Sequence, residues 1–265
     1  MQRFLMCRPD YYGVQYKINP WMNLSTEGKP DPDKAMDQWM LLHNLIVKCG
    51  GEIHYIPPVD GLPDMVFTAN AGLPLKGDFI LSRFKYVERT PEEEYFRDYF
   101  EEKGFKIIDP FCAEVPFEGK GDVLKMGDAY CFGSDFRSSK HAASAIKEWK
   151  LIQVHEMKLK DERFYHLDTC FCPISRDLCL AYIDAFESFS VPNPAGFTSK
   201  VIGVSEKEAL NFACNAVVIG KNVIMPTNTD ATAEDLRKLG YIVHQTPMSE
   251  FIKSGGACKC LVLEF

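Results

Sequence analysis

The chain has 265 residues, 46% of them hydrophobic, and a formal net charge of −7. A nucleic-acid binder needs a basic face, so this balance argues against broad nucleic-acid binding and suits a soluble globular protein. No apolar run reaches about 18 residues, so no membrane span is expected, and "MQRFLMCRPD" lacks the long apolar core of an export signal.

"RFLMC" reads as a first strand. A helix is predicted over Pro32–Cys49: Asp31 is placed to cap it, and Pro32 suits its first turn. Met36, Trp39, Met40, His43, Ile46 and Val47 follow the helical period, and two glycines end it. Strand-like runs follow at "EIHYI", "MVFTANAGL" and "FILS", then a helix over 91–103 and the strand "KIIDP". The next group is "DVLKMGDAYCFG", a helix over 138–149, and "IQVHEM". After "LCLAYID" comes a Pro-rich stretch, Phe189–Ser199, read as an exposed loop or flap, and then "KVIGV". A helix over 206–213 opens with the capping-box pattern Ser205 and Glu208. "AVVIGKNVIM", a helix over 232–239 stopped by Gly240, "YIVHQTP" and "CKCLVLEF" complete the chain. Two or three strands, a helix and a strand thus recur five times at roughly 50-residue spacing, which predicts one α/β domain, 1–265, with a repeated module around an axis.

Ten cysteines without an export signal point to free thiols in a reducing, cytoplasmic setting. Cys170/Cys172 and Cys258/Cys260 offer four soft ligands, but both pairs are C-x-C, the wrong spacing for the usual zinc knuckles. No nucleotide-binding glycine loop and no metalloprotease helix appears, so neither cofactor nor metal is expected.

Four segments are candidates for chemistry. In "FYHLDTCFCP", His166 and Asp168 are i and i+2 in what reads as an extended run, which puts them on one side as an acid/base unit or leaves His166 as a satisfied core residue. In "PFEGKGDVL", two glycines bend the chain between Glu118 and Asp122, which either point inward or stay solvated in a turn. Asn70, in the apolar "MVFTANAGL", needs hydrogen-bond partners if buried. In "GGACKC", the glycines permit a sharp bend that exposes a thiol at a strand start, where a nearby cation favours the thiolate.

"FEGKGD", "HLDT" and "GGACKC", in that order and with a matching segment near residue 70, resemble the guanidino-group-modifying superfamily, which includes arginine deiminase, dimethylarginine dimethylaminohydrolase, amidinotransferases and arginine dihydrolase. The resemblance covers nearly the whole chain and implies a five-bladed α/β propeller with the site in its central channel. It implies that Cys260, not Cys258, is the nucleophile and His166 the general acid/base. Glu118 and Asp168 match carboxylates that hold the guanidinium, and Arg89 matches an arginine for the substrate α-carboxylate, with Arg83 close by as the rival. "MCRPDYYGVQYKINPWM" together with "FTANAG" is most similar to the arginine dihydrolase branch, where Asn70 stands in place of an acid and Asn19 is a candidate substrate contact. The implied partner is a small molecule, arginine or a methylated arginine, and a homo-oligomer is compatible with it. Dimethylarginine dimethylaminohydrolase or arginine deiminase activity, both giving citrulline, stands as the alternative. A non-catalytic propeller is the alternative of another class, and the intact Cys/His/acid set argues against it.

Overall fold

Each structural repeat starts with a tight turn, forms an antiparallel strand pair, and then crosses over to a third strand that runs parallel to the middle one. The computed structural model describes residues 1–150, 152–193 and 198–265. Five separate three-stranded sheets result, and we call them blades. Gly72–Leu75, Asp78–Leu81 and Lys106–Ile108 form one, and Val123–Met126, Ala129–Ser134 and Gln153–Lys158 the next. Phe171–Pro173, Leu178–Ala181 and Lys200–Gly203 form a third, and Val217–Ile219, Asn222–Pro226 and Ile242–Thr246 a fourth. The fifth is built from both ends of the chain: Arg3–Cys7 pairs antiparallel with Leu263–Glu264 and parallel with Glu52–Ile56. That joint ties the last strand to the first. The five-bladed α/β propeller anticipated above is therefore the fold.

Helices fill the crossovers for the reason the sequence suggests. Pro32–Lys48 starts where the Asp31 side chain accepts from Asp33 N and Lys34 N, and it buries Trp39, Leu42 and Ile46. Glu92–Glu102 buries Phe96 and Phe100, and Phe100 stacks on Phe79 of its own sheet. Lys140–Lys150 and Asp230–Lys238 cover their sheets in the same way. Of the Phe189–Ser199 loop, residues 194–197 lie outside the described residues.

Several expectations need correction. "MVFTANAGL" is not one strand: Pro63–Val66 and Thr68–Ala71 are 3-10 turns, and pairing begins only at Gly72. Asp168 does not extend a strand from His166, because Leu167–Cys170 is a helical turn closed by Thr169, whose N–H and Oγ1 both bond back to His166 O. "CKCLVLEF" is strand only at Leu263–Glu264, since Leu261 N returns to Ala257 O and Val262 N to Lys259 O. The helix expected over 206–213 stops at Ala209, and Phe212 takes a φ of 60°. The Ser205 side chain does accept from Glu208 N, but Glu208 does not reciprocate as a capping box would. Its carboxylate instead caps the next helix, accepting from Ala231 N, Thr232 N and Thr232 Oγ1.

Among the described residues, no helix is long and apolar enough to cross a membrane, and no group of three or more His, Cys, Asp or Glu is placed to hold a metal ion.

Candidate active site

The turns that open the blades converge. Asn70 precedes Gly72, Glu118 precedes Val123, His166 and Asp168 precede Phe171, and Cys260 precedes Leu263. The repeat therefore delivers polar side chains from different blades to one place. A narrow cavity there is bordered by Asn70, His166, Cys260, Asp64, Arg89 and Arg137, among others. Glu118 and Asp168 lie directly behind it, bonded to His166 and Cys260.

Two glycines make the convergence possible. A Cβ on Gly121 would come within 2.3 Å of Asn70 Nδ2, so only glycine lets the 119–121 turn pack on that amide. Gly255 has a φ of 79° and lies against Tyr165 and Trp21, so the bend before the cysteines also needs glycine.

On one side of the cavity, Glu118 Oε2 meets His166 Nε2 at 2.8 Å and accepts from Arg137 Nη1 at 3.0 Å, while Oε1 accepts from Lys85 N at 3.1 Å. All three side chains of this cluster are buried. Burial opposes the carboxylate, but Arg137, the His166 hydrogen bond and Arg89 outweigh it and hold Glu118 well below the usual carboxylate range. The Arg137 guanidinium lies over the rings of Tyr86 and Tyr165 and donates to Ile18 O. Asp122 steadies the same region, accepting from Ser138 Oγ and Leu167 N.

On the other side, Cys260 Sγ is 3.5 Å from Asp168 Oδ2 and 3.7 Å from Oδ1. Burial pushes Asp168 up to about 7, with Lys259 and hydrogen bonds opposing it only in part. Burial and the neighbouring Asp168 raise the Cys260 thiol well above its ordinary value. Cys258 is fully buried in an apolar cluster with Phe4, Phe251 and Val262, away from the cavity.

Asn70 is held at the junction of the two sides. Its Oδ1 accepts from Arg89 Nη1 at 2.9 Å, which turns the NH2 toward Glu118 O at 3.4 Å. Arg89 is fixed by Glu92 through a bidentate pair at 2.9 and 2.8 Å. Arg83 lies elsewhere, bound to Glu93 and Asp109. Asp64 accepts from Tyr16 through Oδ2, while its buried Oδ1 has no partner among the described residues. Asn19 borders the cavity, but its side chain is spent on its own loop and on Ser254: Oδ1 accepts from Trp21 N and Met22 N, and Nδ2 donates to Ser254 O. An outer cleft of about 410 Å³, lined by Lys17, Ile18, Asn19, Tyr86, Arg137 and Tyr165, shares Ile18, Asn19, Arg137 and Tyr165 with the inner cavity.

Sequence reading did not find Arg137 or Asp64. Arg137 follows the middle strand of its blade, as Arg83 and Arg89 follow the middle strand of theirs. Aligning the repeats on their hairpins is the signal that exposes it.

A family description, N,N dimethylarginine dimethylhydrolase, eukaryotic, matches residues 15–265. The bifunctional arginine dihydrolase/ornithine cyclodeaminase ArgZ of Synechocystis sp. is 44% identical over 265 residues, with 98% of this chain and 37% of ArgZ aligned. This chain thus spans little more than a third of that relative. The crystal structure of the N-terminal domain of ArgZ bound to product matches with a TM-score of 0.91 at 43% identity, covering 99% of this chain and 97% of that one. The N(G),N(G)-dimethylarginine dimethylaminohydrolase of Mycobacterium tuberculosis is 32% identical over 263 residues, with 99% of this chain and 85% of that protein covered.

Proposed function

We propose the following for a chain that belongs to the N,N-dimethylarginine dimethylhydrolase family: its single domain, 1–265, hydrolyses the guanidino group of free arginine through a covalent adduct on Cys260, giving ornithine, carbon dioxide and two ammonia. One observation carries the reading: turns from different blades bring a thiol, an imidazole–carboxylate pair, a second carboxyl and an amide to one buried cavity.

A guanidinium is a resonance-stabilised cation and a poor electrophile, so its attack needs a thiolate. Substrate charge beside Cys260 and Asp168 favours the ionised form of both. Asp168 holds the planar fork by charge-assisted hydrogen bonds, while Glu118, behind the cavity, holds His166. Arg89 and Arg137 receive the α-carboxylate, and the unpartnered Asp64 Oδ1 receives the α-ammonium. Cys260 attacks the central carbon, and ammonia departs with a proton from His166. His166 then takes a proton from water, which cleaves the thiouronium adduct to citrulline and the free thiolate.

Asn70 decides whether citrulline stays. The ureido group is neutral and carries an oxygen acceptor, which a carboxylate would repel and an amide N–H can bind. Arg89 pins the Asn70 oxygen, so one N–H of its NH2 goes to Glu118 O and the other is left for the cavity. A second thiolate attack then expels the second ammonia, and hydrolysis leaves the carbamate of ornithine, which loses carbon dioxide.

Hydrolysis of dimethylated arginine is the second reading, favoured by the family match. Incubation with arginine and with asymmetric dimethylarginine separates the two. We expect turnover of arginine, with dimethylamine formed at least ~100-fold more slowly from the methylated substrate. Preferred release of dimethylamine would replace this reading with the second.

A further inference from the structure

Four blades open on the turns described above; the remaining one opens at Val217, and the residue in the equivalent place is Asn215. It is completely buried. Its Oδ1 accepts from Lys259 N at 2.9 Å and from Cys260 N at 3.1 Å. Its Nδ2 donates to Asp168 O at 3.0 Å and to Cys260 Sγ at 3.1 Å. An amide offers two donors and two acceptor lone pairs, and here all four go to the nucleophile's turn and to the acid beside it.

We propose that Asn215 is a further catalytic residue, whose Nδ2–H holds the Cys260 sulfur as an anion when it attacks and again when it is expelled from the adduct. The proposal rests on Cys260 being the nucleophile. Burial and the neighbouring acid oppose negative charge on the sulfur, and the Ala257 backbone offsets them only in part. The atom is buried, and its other polar side-chain neighbour is the Asp168 carboxyl, an acceptor. Among the described residues, Nδ2 of Asn215 is the one side-chain donor within hydrogen-bond reach of Sγ, beside the Ala257 backbone. A donor fixed at that distance strengthens as the thiol becomes a thiolate and needs no reorganisation at the moment of attack. A purely structural amide would not aim one of its two donors at a sulfur, where a neutral thiol is a weak acceptor.

Two variants separate holding the sulfur from holding the backbone. Asn215→Asp keeps the acceptor for Lys259 N and Cys260 N but loses the donor; Asn215→Leu loses both and adds no charge. The readouts are the pH dependence of iodoacetamide alkylation of Cys260, followed by mass spectrometry of the peptide, and steady-state turnover of arginine. We expect the alkylation midpoint to rise by at least a pH unit in both variants, and kcat to fall about 100-fold with KM changed less than about threefold. An Asn215→Asp protein with the wild-type midpoint and near-wild-type kcat would reduce Asn215 to a backbone anchor and overturn the proposal. Should neither variant fold, wild-type NMR decides: of the two Asn215 side-chain amide protons, the one facing sulfur should titrate with the alkylation midpoint, and two unmoved protons would overturn the idea. Cys260→Ala run in parallel keeps the two claims apart, because turnover surviving there removes the nucleophile itself.

Discussion

Glu118 and Asp168 are buried to the same degree on opposite sides of one cavity, yet they stand at opposite ends of the carboxylate range. Glu118 has its cation built in: Arg137 at 3.0 Å, together with the hydrogen bond to His166 at 2.8 Å, keeps it ionised. Asp168 has a thiol and a backbone-directed amide for company, and burial lifts it to about 7. One half of the site is preassembled around the protein's own charge. The other half has only Lys259, which offsets burial in part, and in the proposed reaction a bound guanidinium supplies the missing charge. The thiol shares this shortage, so the proposed reaction ties thiolate formation to the arrival of the substrate.

The largest effect should come from the half that lacks charge. Cys260→Ala is expected to reduce arginine turnover by about 10⁴-fold or more, whereas Cys258→Ala, a small change in an apolar core, should keep activity within about threefold and cost about 1 kcal/mol in stability. Equal losses in the two variants would erase the distinction between the cysteines.

The preassembled half should fail differently. Glu118→Gln leaves Arg137 buried without its counter-charge, so a denaturant titration should show a loss of about 3–5 kcal/mol. Asp168→Asn removes no such pair and should cost far less stability while still suppressing turnover. If both variants melt alike, the asymmetry is not real.

Asn70→Asp should leave the first hydrolysis working and shift the product toward citrulline, read by chromatography of the reaction mixture. Unchanged ornithine output would remove Asn70 from the second step.

The smallest effect is a pH dependence, and its sign follows from the two acids. Glu118 is lower in the folded state than in the unfolded chain, near 4.3, so its stability contribution is present above that pH and lost as pH falls. Asp168 is higher when folded, about 7 against about 3.9 unfolded, so ionising it costs stability as pH rises from about 4 to 7. A cationic ligand relieves that cost. Arginine binding to Cys260→Ser should therefore tighten by up to about tenfold per pH unit toward 7 and release protons below it. Calorimetry at pH 6 in buffers of different ionisation heat checks this, and binding without proton release would contradict it.

Much of this was legible in the residues. The hairpin, helix and strand cadence was visible because each blade carries its own hydrophobic pattern and turn glycines. Cys260, His166, Glu118 and Asn70 could be picked out because four short segments stand in a telling order. Local conformation was harder to read. His166 and Asp168 look like alternate residues of a strand, but Thr169 bonds back to His166 O and winds the chain into a turn. Asn70 sits in a 3-10 turn for a tertiary reason, the approach of Gly121 to its amide. Arg137, Asp64 and Asn215 are single residues whose meaning comes only from partners far along the chain, such as Cys260, 45 residues from Asn215.

The most direct test of the whole account is the stoichiometry of complete arginine hydrolysis by the purified chain. The account predicts two ammonia and one carbon dioxide for each ornithine formed, with citrulline at most a transient. One ammonia per arginine, with citrulline accumulating as the end product, would contradict it.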